Sequence, residues 1–448
     1  MTEPSPHELS ALLHSDLPPH RAGLVIFHLL GPCDRCLPGG VARTCEPQPQ
    51  APVLTAEEDA AYETAIDRAF AAVRQHAESV RRQRSDTRRA LEILAAGGPE
   101  ALDRIPHGIG GLALFEALLA RSWALRHDDP AQMVQLAWLA TKTAKTLDVR
   151  RHGPKRIVDF ECLAWAELGN ANRVADKLDH AEAAFTRAVR LYEQGSGDKL
   201  LGIHLVDLQA SLAADRRQFR RACQALTRVY EFHRGHGDSH LAGRALISKG
   251  LYTGYAGEPE DAILLLQEGL GLLEEEREPL LEFAAVHNQL MFLIDCGRYQ
   301  EAKELLSLNR RRLRDAGGRL NRFKVVWQEG RVAAGLGDPR RAEAALRRAR
   351  RGLAQADLGY QAAIATLDLA AVLLRQGRTE EGELLVEEAA GTFVALRIER
   401  EALGALLMLR QAFAMRVATA ALVEDVTLYL RRCEHDPAAR FNPAPTPG

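Results

Sequence analysis

From Ala56 almost to its end, this chain repeats apolar residues at three- and four-residue intervals. No stretch shows the two-residue alternation of a strand. Within 56–100, Tyr62, Ile66, Phe70 and Val73 share one face of an amphipathic helix, and Gly97, Gly98 and Pro99 end that segment. A first helix pair is expected near 111–127 and 130–147, with Asp129 as cap and Pro130 in the first turn. The pattern then becomes periodic. The small residue that opens each second helix falls at Ala181, Ala222, Ala262, Ala302, Ala342 and Gly382, in steps of 41, 40, 40, 40 and 40. A fixed period of this size predicts stacked helix–turn–helix units that bury their apolar faces only against their neighbours. Four units carry glycine five residues before the marker, at Gly257, Gly297, Gly337 and Gly377, which predicts a left-handed cap on the first helix.

The unit at 154–194 is the most explicit. Trp165-x-x-Leu168-Gly169 precedes Ala181-x-x-x-Phe185-x-x-Ala188, so a small residue lets two antiparallel helices approach while a bulky one fills the space between them. These spacings resemble the tetratricopeptide-repeat family over roughly Leu112 to Met415. The G-x4-A-x3-L register, free of mid-helix proline, separates the chain from the HEAT and armadillo types. The resemblance implies an all-α, right-handed solenoid of about seven to eight helix pairs, with repeats over 111–398. Helices near 400–416 and 419–432 leave the register and suit a capping pair with a polar outer face, within 399–434. The proline-bearing tail, 435–448, is expected to be disordered.

The same resemblance implies which side chains face the concave side. In the first repeats these are Leu163, Ala166, Asn170 and Arg173, then His204, Asp207 and Ser211, then Arg244, Ile247 and Leu251. Further on they are His287 and Met291, then Lys324, Trp327 and Arg331, then Ile364 and Leu367. They make a polar, mostly cationic path that meets an apolar end at Ile364, Leu367 and Leu374. The asparagine and basic residues are similar to the carboxylate clamp of some family members, although the full clamp set does not match. Trp327 is expected to be an exposed anchor for a protein or peptide partner. The competing reading makes these ordinary surface residues, or packing for the N-terminal region.

That region is compositionally separate. Residues 1–41 hold four histidines and two of the seven cysteines, and a proline-rich linker over 42–55 follows. His28-Leu-Leu-Gly-Pro-Cys33-Asp-Arg-Cys36 places two thiolates two residues apart, with a histidine about one helical turn before them, a spacing suited to tetrahedral zinc. It resembles the H-x3-C-x2-C zinc motif of bacterial anti-sigma factors, with one residue added between His28 and Cys33. The resemblance implies a structural zinc and a fourth ligand from His7, His14, His20 or Cys45, His7 being preferred. Reduced thiols in a Gly/Pro loop, or a redox pair, are the other readings of Cys33 and Cys36. Cys162, Cys223, Cys296 and Cys433 fall singly on helices and read as small core residues.

Charge and composition narrow the function. A net charge of −2 gives no global field for nucleic acid, and only 8 of 58 basic residues are lysine, as GC-rich coding produces. The run RRQRSDTRRA at 81–90 reads as a solvated helix face, since no aromatics are interleaved with it. No apolar segment has membrane-spanning length and no signal architecture opens the chain, which points to the cytoplasm. Phosphate-loop, zinc-protease and nucleophile-elbow motifs are missing, and Gly108-Ile-Gly-Gly111 lies between helices with no strand before it. Three functions are compatible, in descending order. The first is a non-enzymatic scaffold or regulatory adaptor that binds a peptide or protein. The second is a ligand-responsive sensor or transcription-related regulator of anti-sigma type. The third is a thiol or zinc enzyme.

Overall fold

The computed structural model describes Phe70, residues 85–93, residues 111–435 apart from His127, Glu276, 316–317 and 397–399, and Phe441. The chain divides into two compact units, Met1–Ser79 and Val80–Gly448. The division falls inside the 56–100 segment read above as one piece. The zinc-ligand candidates His7, His28, Cys33 and Cys36, the linker and most of the amphipathic helix lie outside the described residues, as does the tail apart from Phe441 and His435, which closes the last helix and so departs from the disorder expected of the tail. Within the basic run, Arg88 and Arg89 are exposed while Ala90 is buried against Leu114 and Phe115.

The second unit is a succession of antiparallel helix pairs. Helices α1 (Gly111–Ala124) and α2 (Pro130–Ala144) form the first pair. Asp129 accepts a hydrogen bond from the Gln132 amide, and Pro130 occupies the first turn, as its fixed φ favours. After the single turn α3 (Val149–His152) come α4 (Pro154–Val174) and α5 (Leu178–Gln194), α6 (Lys199–Asp215) and α7 (Phe219–Gly235), α8 (Ser239–Tyr255) and α9 (Pro259–Leu272). The series continues with α10 (Pro279–Asp295) and the divided α11 (Tyr299–Leu308) and α12 (Arg310–Asp315), α13 (Arg319–Gly335) and α14 (Pro339–Ala354), α15 (Gly359–Arg375) and α16 (Thr379–Ala395). Last are α17 (Arg400–Ala414) and α18 (Ala420–His435).

The periodic residues lock these pairs together. Ala181, Ala222, Ala262, Ala302 and Ala342 are fully buried, and Gly382 is buried at the sixth position. Twelve residues before three of the markers, Gly169, Gly250 and Gly330 press against Phe185, Leu266 and Leu346. A Cβ there would come within 2.8, 2.9 and 2.9 Å of those side chains. The residue five before each marker is left-handed in all six repeats: Asp176 (φ 57°), Arg217 (60°), Gly257 (94°), Gly297 (73°), Gly337 (77°) and Gly377 (77°). The following amide closes the helix end by donating to a carbonyl five residues back, as from Lys177 to Asn172 at 2.8 Å and from Asp338 to Ala333 at 2.9 Å. Where the glycine signal is absent, the turn geometry persists on Asp and Arg.

Each second helix packs on its own first helix and on the first helix that follows. First helices also touch directly, α4 with α6, α10 with α8 and α13, and α13 with α15. The first helices therefore form the inner, concave layer. At the C-terminal end the expected capping pair takes another form. α17 follows α16, but α18 turns back along the inner face of α15. Val423, Val426, Tyr429 and Leu430 are buried there with Ile364, Leu367 and Phe393. Leu407, Met415 and Val417 are exposed, so the outer surface of this end is not purely polar.

Candidate functional site: the inner face of the repeat array

The inner face falls into two parts. Along α4, α6 and α8 it is open and polar. Arg173 donates to Asn170 Oδ1 at 2.9 Å and to Asp215 at 2.8 Å, so the Asn170 side chain is fixed with its Nδ2 buried and without a partner. His204 Nε2 lies 2.7 Å from Glu167. Desolvation opposes its charge, yet Glu167 holds its pKa above the ordinary value. Asp207, between these groups and Arg244, is pushed up by desolvation, which outweighs the neighbouring cations. Arg244 donates to Glu278 at 2.8 Å. His204 and Arg244 each keep 39% of their side chains exposed.

Along α10, α13 and α15 the inner face is covered by α18. Arg431 on α18 bonds Asp368 and lies 3.5 Å from Asp295, while Arg331 donates to Asp295 at 2.5 Å and approaches Asp368 at 3.9 Å. Trp327 Nε1 donates to Asp368 at 2.7 Å, and Arg431 lies over the Trp327 ring. Two guanidinium groups and two carboxylates thus compensate one another at the junction of four helices. Burial opposes the charge of Arg331, but Asp295 and Asp368 raise its pKa overall. Burial and Arg331 together lower that of Arg431. Tyr360 Oη donates to the Leu430 carbonyl at 2.6 Å and Gln361 to Glu434 at 2.7 Å. The end of α18 reaches α8, where the His435 ring stacks on Tyr255 at 3.7 Å.

Two sequence expectations are corrected here. Trp327 is not an exposed anchor: its ring packs against the C-terminal core and its N–H is committed to Asp368. Ile364 and Leu367 do not form an open apolar end, because α18 buries them. The expected cationic path is also largely neutralised, since Arg173, His204, Arg244 and Arg331 each face a carboxylate. Lys324 alone among those cations makes no ion pair with a described residue. His287 and Met291 sit beside it on the wall of a cavity of about 630 Å³ under α18.

These pairings have a common arithmetic. Arg173 and Asp215 are 42 residues apart, Glu167 and His204 37, Trp327 and Asp368 41, and Asp295 and Arg331 36. Partners one repeat away were present in the sequence as acids near the 40-residue offset, a signal that counting concave positions alone misses. The contribution of Arg431, Glu434 and His435 had no such signal, because α18 lies outside the register.

No cluster of metal-binding side chains occurs among the described residues, and no described helix is long and apolar enough to cross a membrane. Cys162 is buried and its thiol is pushed up to about 12, first by burial and then by Asp159, so it carries no nucleophile.

Stacked helix pairs, left-handed caps at one period and an inner layer of first helices decide the fold. It is a tetratricopeptide-like solenoid. No family model matches the chain, and no curated protein does. Solved structures do match. A Rap protein complexed with competence and sporulation factor is 12% identical, with a TM-score of 0.51 over 71% of this chain and 89% of that one. The aspartyl phosphate phosphatase F of Bacillus subtilis is 14% identical, with a TM-score of 0.49 over 67% of this chain and 73% of that one. At 12% identity the likeness to the Rap protein speaks to fold alone.

Proposed function

We propose that this protein is a non-enzymatic adaptor that binds a peptide or protein on the open half of its inner face. The observation that carries the reading is the strip on α4, α6 and α8. There a buried Asn170 amide group lacks a partner beside the half-exposed His204 imidazole and Arg244 guanidinium. An extended chain offers carbonyl oxygens to such a donor and side chains to the flanking polar groups. The Rap protein that shares the fold is complexed with competence and sporulation factor, which supports a partner-binding role here. A second reading, a ligand-responsive regulator, is favoured by α18, whose place on the inner face couples what binds there to the surface displayed. The zinc proposal for His28, Cys33, Cys36 and His7 belongs to the N-terminal region and implies a structural metal in a cytoplasmic protein.

The test is capture of partners from native lysate on the full chain, compared with a His204→Ala/Arg244→Ala variant of matched helicity. A specific partner held by the parent and lost by the variant supports the adaptor. Equal recovery by both places binding elsewhere. Zinc content of the purified chain, read with and without Cys33→Ser/Cys36→Ser, decides the metal; a parent protein free of zinc sinks that proposal.

A further inference from the structure

The cavity under α18 lies between the inner faces of α8, α10 and α13 and the last turns of α18. Its volume of about 630 Å³ is within the usual range for small-molecule sites, roughly 300–1,000 Å³. One wall is apolar and partly aromatic, from Tyr255, Met291, Phe292 and Trp327. The rest of the lining is polar and carries an excess of positive charge. Lys324, Arg331, Arg431 and Arg432 are set against Asp295, Asp368 and Glu434. Arg331 and Arg431 are consumed by the two aspartates, and Glu434 accepts from Gln361. The half-buried ammonium of Lys324 keeps no ion pair among the described residues, and beside it His287 Nε2 is buried with no hydrogen-bond partner. The His287 pKa is pushed down to about 4, by burial first and then by Lys324, so the ring is neutral near pH 7 and offers a hydrogen bond without adding charge.

A neutral imidazole, a cation without an ion pair among the described residues and aromatic side chains in one cavity define a complementary ligand. We propose that this cavity binds a monocarboxylate on an apolar body, with Lys324 as counter-ion, His287 as neutral hydrogen-bond partner, and Met291, Phe292 and Trp327 against the body. The carboxylate belongs either to a free organic acid or to the last residue of a peptide. The site is separate from the open strip on α4, α6 and α8. Because Leu428, Arg431, Glu434 and His435 form its roof, an occupied cavity holds the end of α18 in place.

The experiment titrates the full chain calorimetrically with N-acetyl-L-phenylalanine, with its primary amide, and with acetyl-Ala-Ala-Leu-Phe bearing a free C-terminus. Binding of the two acids, with the amide at least about tenfold weaker, is expected from loss of one charge-assisted contact. Lys324→Gln should weaken both acids about tenfold or more, and Lys324→Arg should restore binding to within about threefold. Tighter binding of the tetrapeptide identifies a chain end as the source of the carboxylate, and tighter binding of the single residue identifies a free acid. Equal affinity for acid and amide overturns the proposal, as does binding indifferent to Lys324→Gln. So does the absence of any acid Kd below about 1 mM. Lys324 variants should leave partner capture by the α4–α8 strip unchanged, so failure of this site and failure of the adaptor reading are told apart.

Discussion

Replacing Arg431 with alanine should loosen the C-terminal helix while the rest of the array stays folded. Its guanidinium bonds Asp368, lies 3.5 Å from Asp295 and covers the Trp327 ring. Breaking a buried pair by removing one partner costs roughly 3–5 kcal/mol. Two features bring the figure down. Asp368 would retain the Trp327 N–H at 2.7 Å and Arg331 at 3.9 Å, and the Arg431 Nε is itself buried without a partner, so its removal relieves some desolvation. About 2–3 kcal/mol remains. Burial of Val423, Val426, Tyr429 and Leu430 contributes more than that, at about 1.5–3 kcal/mol each, so α18 stays docked most of the time. Native-state hydrogen exchange resolves the effect because a repeat array opens locally. Amides of 423–434 should exchange about 30- to 150-fold faster, with α4 to α7 unchanged. The neighbouring, exposed Arg432→Ala should change stability by less than about 0.5 kcal/mol. Combined with Asp368→Asn, the Arg431 change should fall short of additivity by about 1 kcal/mol. Equal effects of Arg431→Ala and Arg432→Ala, or acceleration spread evenly along the chain, would refute the reasoning.

Two further predictions concern pH and backbone. The His435 pKa is pushed down to about 4 by burial and then by Arg217, with Tyr255 stacked on it and Glu434 adjacent in sequence. A histidine depressed in the folded state is stabilising above its unfolded value near 6.5. That stability, up to about 3 kcal/mol, is lost as pH falls from about 6.5 toward 4. Exchange protection of α18 should decline over this window, and His435→Gln should flatten the decline; an unchanged profile in that variant argues against the assignment. At the left-handed caps, Gly337→Ala should cost about 1 kcal/mol. Asp176→Gly should stabilise by about 0.5 kcal/mol, as relief of the left-handed strain exceeds the entropy glycine adds to the unfolded chain. Denaturation midpoints of the two variants should therefore move in opposite directions, and a parallel shift would contradict the cap geometry.

The fold was legible because its determinants repeat. Ala181 and its successors are buried at each period, and the caps at Gly257, Gly297, Gly337 and Gly377 are left-handed where glycine announces them. Local backbone chemistry writes such features directly into residue type. The same geometry at Asp176 and Arg217 was hidden, because hydrogen bonds and packing there impose a conformation that those residues do not prefer. The inner face was legible as a set of positions and not as an electrostatic surface. Arg173 and Arg331 read as free cations until Asp215 and Asp295 are placed one repeat away. α18 was least accessible. Its apolar residues Val423, Val426, Tyr429 and Leu430 announce a buried helix, but nothing local distinguishes stacking outside the array from folding into its hollow. Tertiary competition for apolar surface on α15 decides that choice, and Trp327 lost its expected exposure as a consequence.

A solenoid bends like a leaf spring, through small rotations added from one repeat to the next. α18 acts as the string of this bow. It is fastened to α15 by Glu424–Arg375 and Glu434–Gln361, and to α8 by His435 on Tyr255. Repeats between those fastenings share a single set curvature, whereas α4 and α6 beyond the string keep their individual compliance. The array is thereby divided into a half clasped by α18 and a half without that fastening, and the strip proposed for partner binding lies largely on the unclasped half.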